Sequence, residues 1–166
     1  NCTINMQRIN NASGSGPLVE GAVGIGMYNS ILTTASTTLT VTAASGSNSN
    51  NKFYTNTITG GNYGMALIGF AASTPFTLAD QGNDIGGTAT GTGNQILNFG
   101  GGAATNPSAG IRTLAQYGIS IRYNTVNNNN GSGVNHATTL RGIYLNTATS
   151  ASATISNNTV VLSSGA

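Results

Sequence analysis

The sequence predicts an all-β chain wound as a parallel β-solenoid of about four coils, and three observations carry that expectation. Two short motifs alternate along the chain, apolar residues inside them recur at strand spacing, and no stretch sustains a helical period with caps. The first motif is an apolar residue, two variable positions, then Asn-Thr-(Ile/Val): Phe53 to Ile58, Ile121 to Val126 and Ile155 to Val160. Weaker copies are Cys2-Thr3-Ile4 and Asn94-Gln95-Ile96. The second is Gly, apolar, any residue, apolar: Gly24 to Met27, Gly64 to Leu67 and Gly142 to Leu145, with a degenerate copy from Gly110 to Thr113. One Gly motif falls between each pair of Asn motifs, whose anchors at 2, 56, 94, 124 and 158 are 54, 38, 30 and 34 residues apart. Asn83-Asp84-Ile85 competes with Asn94 for the third anchor, and Tyr117 to Ile121 reads as an additional Gly strand.

A short strand cannot bury its apolar face alone, but stacking it on its own copy one unit later pairs the backbones and closes a continuous core. Rungs would lie roughly 4.8 Å apart. Ile58, Ile96, Val126 and Val160 are then expected to stack inside, one above the other. Asn56, Asn94, Asn124 and Asn158 would form a side-chain ladder at a sharp corner, where Asn tolerates left-handed backbone angles. Gly24, Gly64, Gly110 and Gly142 are expected at turns that exclude a Cβ. Thr and Ser suit the outward positions, because like charges one rung apart would repel. Residues 30–48 and 71–92 read as loop insertions, the Thr-rich run Thr37 to Thr42 being a hairpin laid against the coil. An ice-binding face would need that Thr run repeated at coil spacing, and it is not.

The alternation of Asn-Thr-(Ile/Val) with Gly-Ile-x-Leu resembles right-handed parallel β-helix proteins of the pectate-lyase-like superfamily. The Asn/Gly/Thr/Ser-rich, nearly uncharged form is similar to repeat regions of very large secreted bacterial surface proteins, including those exported by the type IX pathway. The resemblance covers nearly the whole chain and implies a right-handed coil. It specifies architecture far better than activity.

Composition sets bounds on function. The 166 residues suit one domain, and Gly, Asn, Thr and Ser supply 87 of them. Charged residues make up only 5%, against roughly 25% in an ordinary domain. Five Lys/Arg and a net charge of +2 give no cationic track for nucleic acid. Apolar runs are too short to insert in a membrane as a helix. A single cysteine, Cys2, excludes an internal disulfide and reads as a small buried member of the Asn column. Hydrophobic residues at 38%, in short alternating runs, argue against disorder. No charged or helical cap closes the terminal motifs, so the chain reads as an internal stretch of a longer β-helix, or as a unit stacking end to end.

Candidate chemistry is sparse. Glu20, Asp80 and Asp84 are the only acids, and glycoside hydrolysis needs a flanking pair. No catalytic residue and no cofactor is therefore expected. Asp80-Gln81-Gly82-Asn83-Asp84 clusters oxygens around a glycine, which makes Asp80 and Asp84 weak metal candidates without the full calcium-loop pattern. His136, with no second histidine, reads as an exposed loop residue. Arg122 and Tyr123, with Arg141 and Tyr144, are weak glycan-contact candidates, since rings stack on sugar faces and guanidinium donates to hydroxyls. Asn-x-Ser/Thr triplets begin at Asn1, Asn11, Asn130 and Asn157, a pattern this composition produces by chance.

These readings converge on a rigid extracellular shaft or display surface of a bacterial cell-surface or filament protein. Its expected partners are neighbouring coils of the same or identical chains, then surface glycans or other cells. The alternatives are a polysaccharide-binding or polysaccharide-processing β-helix with its acids outside this segment, and a trimeric phage or viral receptor-binding fibre.

Overall fold

The computed structural model describes residues 1–6, 23–31, 34–100, 107–131, 136, 138–146 and 148–164. It is a parallel β-solenoid. The first coil holds β1 (Thr3–Asn5), β2 (Val23–Tyr28), the hairpin β3 (Ser30–Ile31) and β4 (Thr34–Thr38), and β5 (Lys52–Phe53). The second holds β6 (Thr57–Thr59), β7 (Tyr63–Ile68), β8 (Asp80–Gln81) and β9 (Asp84–Ile85). The third holds β10 (Gln95–Leu97), β11 (Ser108–Leu114), β12 (Gln116–Tyr117) and β13 (Ile119–Arg122). Then come β14 (Thr125–Asn127), β15 (Leu140–Asn146), β16 (Ala153–Ser156) and β17 (Thr159–Val161).

Three larger sheets stack along the axis: β1-β6-β10-β14-β17, β15-β11-β7-β2 and β16-β13-β9-β5, with a small pair β12-β8. Among the described residues every pairing between coils is parallel, and only the β3–β4 hairpin is antiparallel. Since residues 7–22 lie outside the described residues, about three turns are complete. Among the described residues helix is confined to two 3-10 turns, Ala44–Gly46 and Thr90–Thr92. None of the described helices is long and apolar enough to cross a membrane.

The apolar column runs Ile4, Ile58, Ile96, Val126, Val160 in register. Ile58, Ile96 and Val126 are fully buried and pack with Met65, Leu67, Ile85, Phe99, Ile111, Ile119 and Ile121. Val160 departs from the expected burial: it lies on the last rung and is 43% exposed.

The Asn column is a continuous ladder. The backbone N–H and Nδ2 of Asn56 both donate to Oδ1 of Asn94, at 3.0 and 2.9 Å. Asn94 does the same to Asn124 at 3.1 and 2.8 Å, and Asn124 to Asn158 at 2.9 and 3.0 Å. The Nδ2 groups of the other three also reach strand carbonyls: Phe53 O from Asn94 at 2.7 Å, Ile85 O from Asn124 at 3.0 Å and Ile121 O from Asn158 at 2.8 Å. On three of the four rungs the left-handed backbone belongs not to the asparagine but to the residue before, Thr55, Tyr123 and Asn157 at φ 55, 60 and 55°, whereas Gly93 before Asn94 is extended at φ −64°. Stepping the corner one residue early aims the amide along the stack.

The glycine column also departs from expectation. Gly24, Gly64, Gly110 and Gly142 sit inside β2, β7, β11 and β15, not at turns. A Cβ on Gly24 would fall 2.7 Å from the Gly64 carbonyl oxygen; on Gly64, 2.6 Å from that of Gly110; and on Gly110, 2.8 Å from that of Gly142. It would also strike Ile58, Ile96, Val126 or Val160 respectively. Glycine is required because the Ile/Val column of the facing sheet fills the place of a side chain.

Two further readings change. Asp80–Gln81 and Asp84–Ile85, expected within a 71–92 insertion, are strands of the coil, paired with Gln116–Tyr117 and Ser120–Ile121. Asn94 holds the ladder position, while Asn83-Asp84-Ile85 lies in the register of Ile119-Ser120-Ile121.

Candidate functional site

The most distinctive chemistry outside the core lies on the outer face of the β2-β7-β11-β15 sheet. Ile25, Met65, Ile111 and Ile143 form one inward column and Met27, Leu67 and Leu145 occupy another, so the column between them, Gly26-Ala66-Arg112-Tyr144, faces out. The glycine step breaks the alternation. A Cβ on Gly64 would point at Ile96 while Met65 is itself in the core, so Tyr63 shares the side of the strand that Ala66 occupies, where neighbouring side chains cover both. By the same step Arg141 joins Tyr144, three residues on.

The side chains then meet. The Arg141 guanidinium lies 4.2 Å from the Tyr144 ring centre, and that of Arg112 lies 5.6 Å from Tyr144 and 5.8 Å from Tyr63. Together with Pro107, Ser108 and Ala109 they line a concavity of about 210 Å³. Arg112 Nε and Ser108 Oγ are buried there with no hydrogen-bond partner. Next to them Tyr28 lays its ring over Gly26, its hydroxyl likewise buried and unpartnered. Burial pushes the Tyr28 phenol up to about 12, an effect the nearby Arg112 charge partly opposes.

Of the four glycan-contact candidates, Arg141 and Tyr144 belong here. Arg122 and Tyr123 do not. Arg122 Nη2 is 3.4 Å from Oδ2 of Asp84, which also accepts from Tyr54 Oη at 2.7 Å. That hydrogen bond raises the Tyr54 pKa. Tyr123 occupies the left-handed corner before Asn124. Tyr63 and Arg112 were missed by sequence reasoning, although one signal was available: Arg112 and Tyr144 each stand two residues after their motif glycine, which places them side by side once the coils stack.

The two aspartates serve separate places. Asp80 is fully buried, its Oδ1 accepting from Asn29 Nδ2 and the Asn48 N–H, both at 2.9 Å, and its Oδ2 from Gln116 Nε2 at 3.0 Å. Gln116 Oε1 accepts in turn from Asn83 Nδ2 at 2.8 Å, and Asn83 Oδ1 from the Asn51 N–H at 2.8 Å. Donors thus run one way through this second polar column and end on a carboxylate, the side chain that only accepts when ionised. Burial raises the Asp80 pKa, against the pull of its three hydrogen bonds. Among the described residues no group of three or more His, Cys, Asp or Glu could hold a metal ion.

His136 is not the exposed loop residue expected; it is 1% accessible and bridges in parallel to Ser164 beside Gly100. Cys2 is not buried but exposed, its carbonyl accepting from the Thr57 N–H at 2.9 Å on the first rung. A second, shallower concavity of about 490 Å³ is lined by uncharged groups, including Ser47, Ser49, Asn50, Gln81 and Tyr117.

The protein is a parallel β-solenoid with an Arg–Tyr concavity on one outer face. Comparison of the chain with family models, curated proteins and solved structures returns no match.

Proposed function

We propose that this chain is a structural or adhesive segment of a large secreted bacterial cell-surface or filament protein, a rigid β-helical shaft without catalysis of its own. Its resemblance to right-handed, Asn/Gly/Thr/Ser-rich β-helices supports the setting. The observation that carries the reading is the continuity of the columns. Asn, Gly and Ile/Val positions repeat in register up to the last rung, where Ile155, Val160, Val161 and Leu162 are 41 to 48% exposed beside a strand edge with no described partner. Such an edge accepts another rung of the same kind, and Val160 would meet the position that Ile4 opens on a second copy.

Sedimentation and negative-stain microscopy of the 166-residue chain test this. Rods that lengthen with concentration, and that Val160→Lys or Ile155→Lys keep short, are the expected result. A compact monomer at every concentration would remove the stacking role. The Arg–Tyr concavity favours an adhesive surface over a bare shaft, because it offers rings and guanidinium donors together on an accessible face.

A further inference from the structure

Neither guanidinium of the outer face has a carboxylate partner among the described residues, where the single ion pair is Arg122 with Asp84. Asp80 is committed to amides in the interior, and Glu20 lies outside the described residues. Two cations therefore share one ring in a chain almost without acids, which is a repulsive arrangement until an anion joins them. A second observation points the same way. Ser108 is 1% accessible, and its hydroxyl and Arg112 Nε line the concavity as buried polar groups with no partner. Leaving such groups unmet is costly, and an oxygen-rich ligand would satisfy both.

We propose that the Ser108–Arg112–Arg141–Tyr144 concavity binds one carboxylate-bearing sugar residue of an acidic glycan. This rests on the adhesive reading above and names what the surface adheres to. A guanidinium fork matches a planar carboxylate with two parallel N–H···O bonds. Arg112, held by its strand neighbours, supplies the fixed contact, and Arg141, packed on Tyr144, supplies the second. Tyr144, half-buried at the wall, offers apolar ring surface to sugar C–H groups, while Tyr63 is buried beneath Arg112. At about 210 Å³ the concavity is below the 300 Å³ or so that drug-sized ligands occupy, and suits a single ring of a chain that continues along the flat sheet. Nucleic acid phosphates would need a track of cations, whereas among the described residues these are the two cations lining the concavity.

Calorimetric titration of the full chain with a uronic-acid oligosaccharide, its carboxyl-reduced counterpart and a sulfated oligosaccharide of equal length tests the site. The acid should bind, and carboxyl reduction should weaken it by about tenfold or more, the loss expected when a charged hydrogen-bonding pair is removed. Arg141→Gln and Arg112→Lys should each weaken it by about the same factor, and Tyr144→Phe, which keeps the ring, by less than about twofold. Arg141 is on β15, the edge strand of its sheet, so its variant remains informative if the Arg112 variant fails to fold. Equal affinity for the acid and its reduced form would overturn the anion while leaving a glycan surface intact. Preference for the sulfated chain would replace the carboxylate with a sulfate ester, and no binding by any of the three would overturn the site. None of these outcomes touches the rod measurement, which judges the shaft reading by itself.

Discussion

Asn124 shows what one residue does in a stacked fold. Its Oδ1 accepts from the Asn94 backbone and side chain, and the two hydrogens of its Nδ2 are shared among three acceptors, Ile85 O, Arg122 O and Asn158 Oδ1, each at 3.0 Å. Aspartate has the same shape and none of the donors. Asn124→Asp should therefore cost about 3 kcal/mol at neutral pH, from lost donation and the burial of a charge. A buried carboxyl has a folded pKa above its unfolded value, so the deficit should narrow on acidification. Thermal melts at pH 7 and pH 4 check this, and a melting temperature equal to wild type at pH 7 would mean that the ladder does not hold the corner. The same backbone logic explains Thr55, a β-branched residue at φ 55°, where Asn157 fills the equivalent place on the last rung. Thr55→Asn should raise stability by about 0.5 kcal/mol, since asparagine takes left-handed angles more readily.

At the scale of a strand, the glycine and Ile/Val columns act as one device. Gly24, Gly64, Gly110 and Gly142 of the β2-β7-β11-β15 sheet are each the socket for an apolar side chain of the sheet opposite, which lets the two sheets approach closely at their shared corner. Gly64→Ala puts a methyl against Ile96 and the Gly110 carbonyl, and should cost about 2 to 3 kcal/mol by overpacking. Gly91, with nothing within 4 Å of an added Cβ, provides the control: Gly91→Ala should change stability by less than about 0.5 kcal/mol. Urea titration of both variants makes the comparison, and equal midpoints would deny the socket. That same glycine step brings Arg141 and Tyr144 to one face, so the device that tightens the core also assembles the outer site.

Across the whole molecule, the second polar column ties Asn29 at the end of β2, the Asn48 backbone before β5 and Gln116 of β12 to Asp80 of β8. Because burial lifts the Asp80 pKa above its unfolded value, its contribution is fully present below the ordinary aspartate pKa of about 3.9 and is lost as pH rises through the folded value. Stability should fall with rising pH across the carboxylate range, and Asp80→Asn should remove that slope; a slope unchanged in the variant would place its origin elsewhere. The repeat pattern was legible without coordinates, since stacked rungs force the same residue types to recur: the parallel solenoid, the Asn56-Asn94-Asn124-Asn158 column and the Ile58-Ile96-Val126 core all follow from spacing. Burial at the ends was not, because Cys2 and Val160 have repeat-like neighbours in sequence but no described rung beyond them. Nor was the Asn29–Asp80–Gln116 column, whose members differ in type and so leave no motif. Periodic identity by itself determined the architecture of this protein. Only the tertiary structure decided which side chains share a face, because one glycine per strand breaks the two-residue alternation on which sequence inference depends.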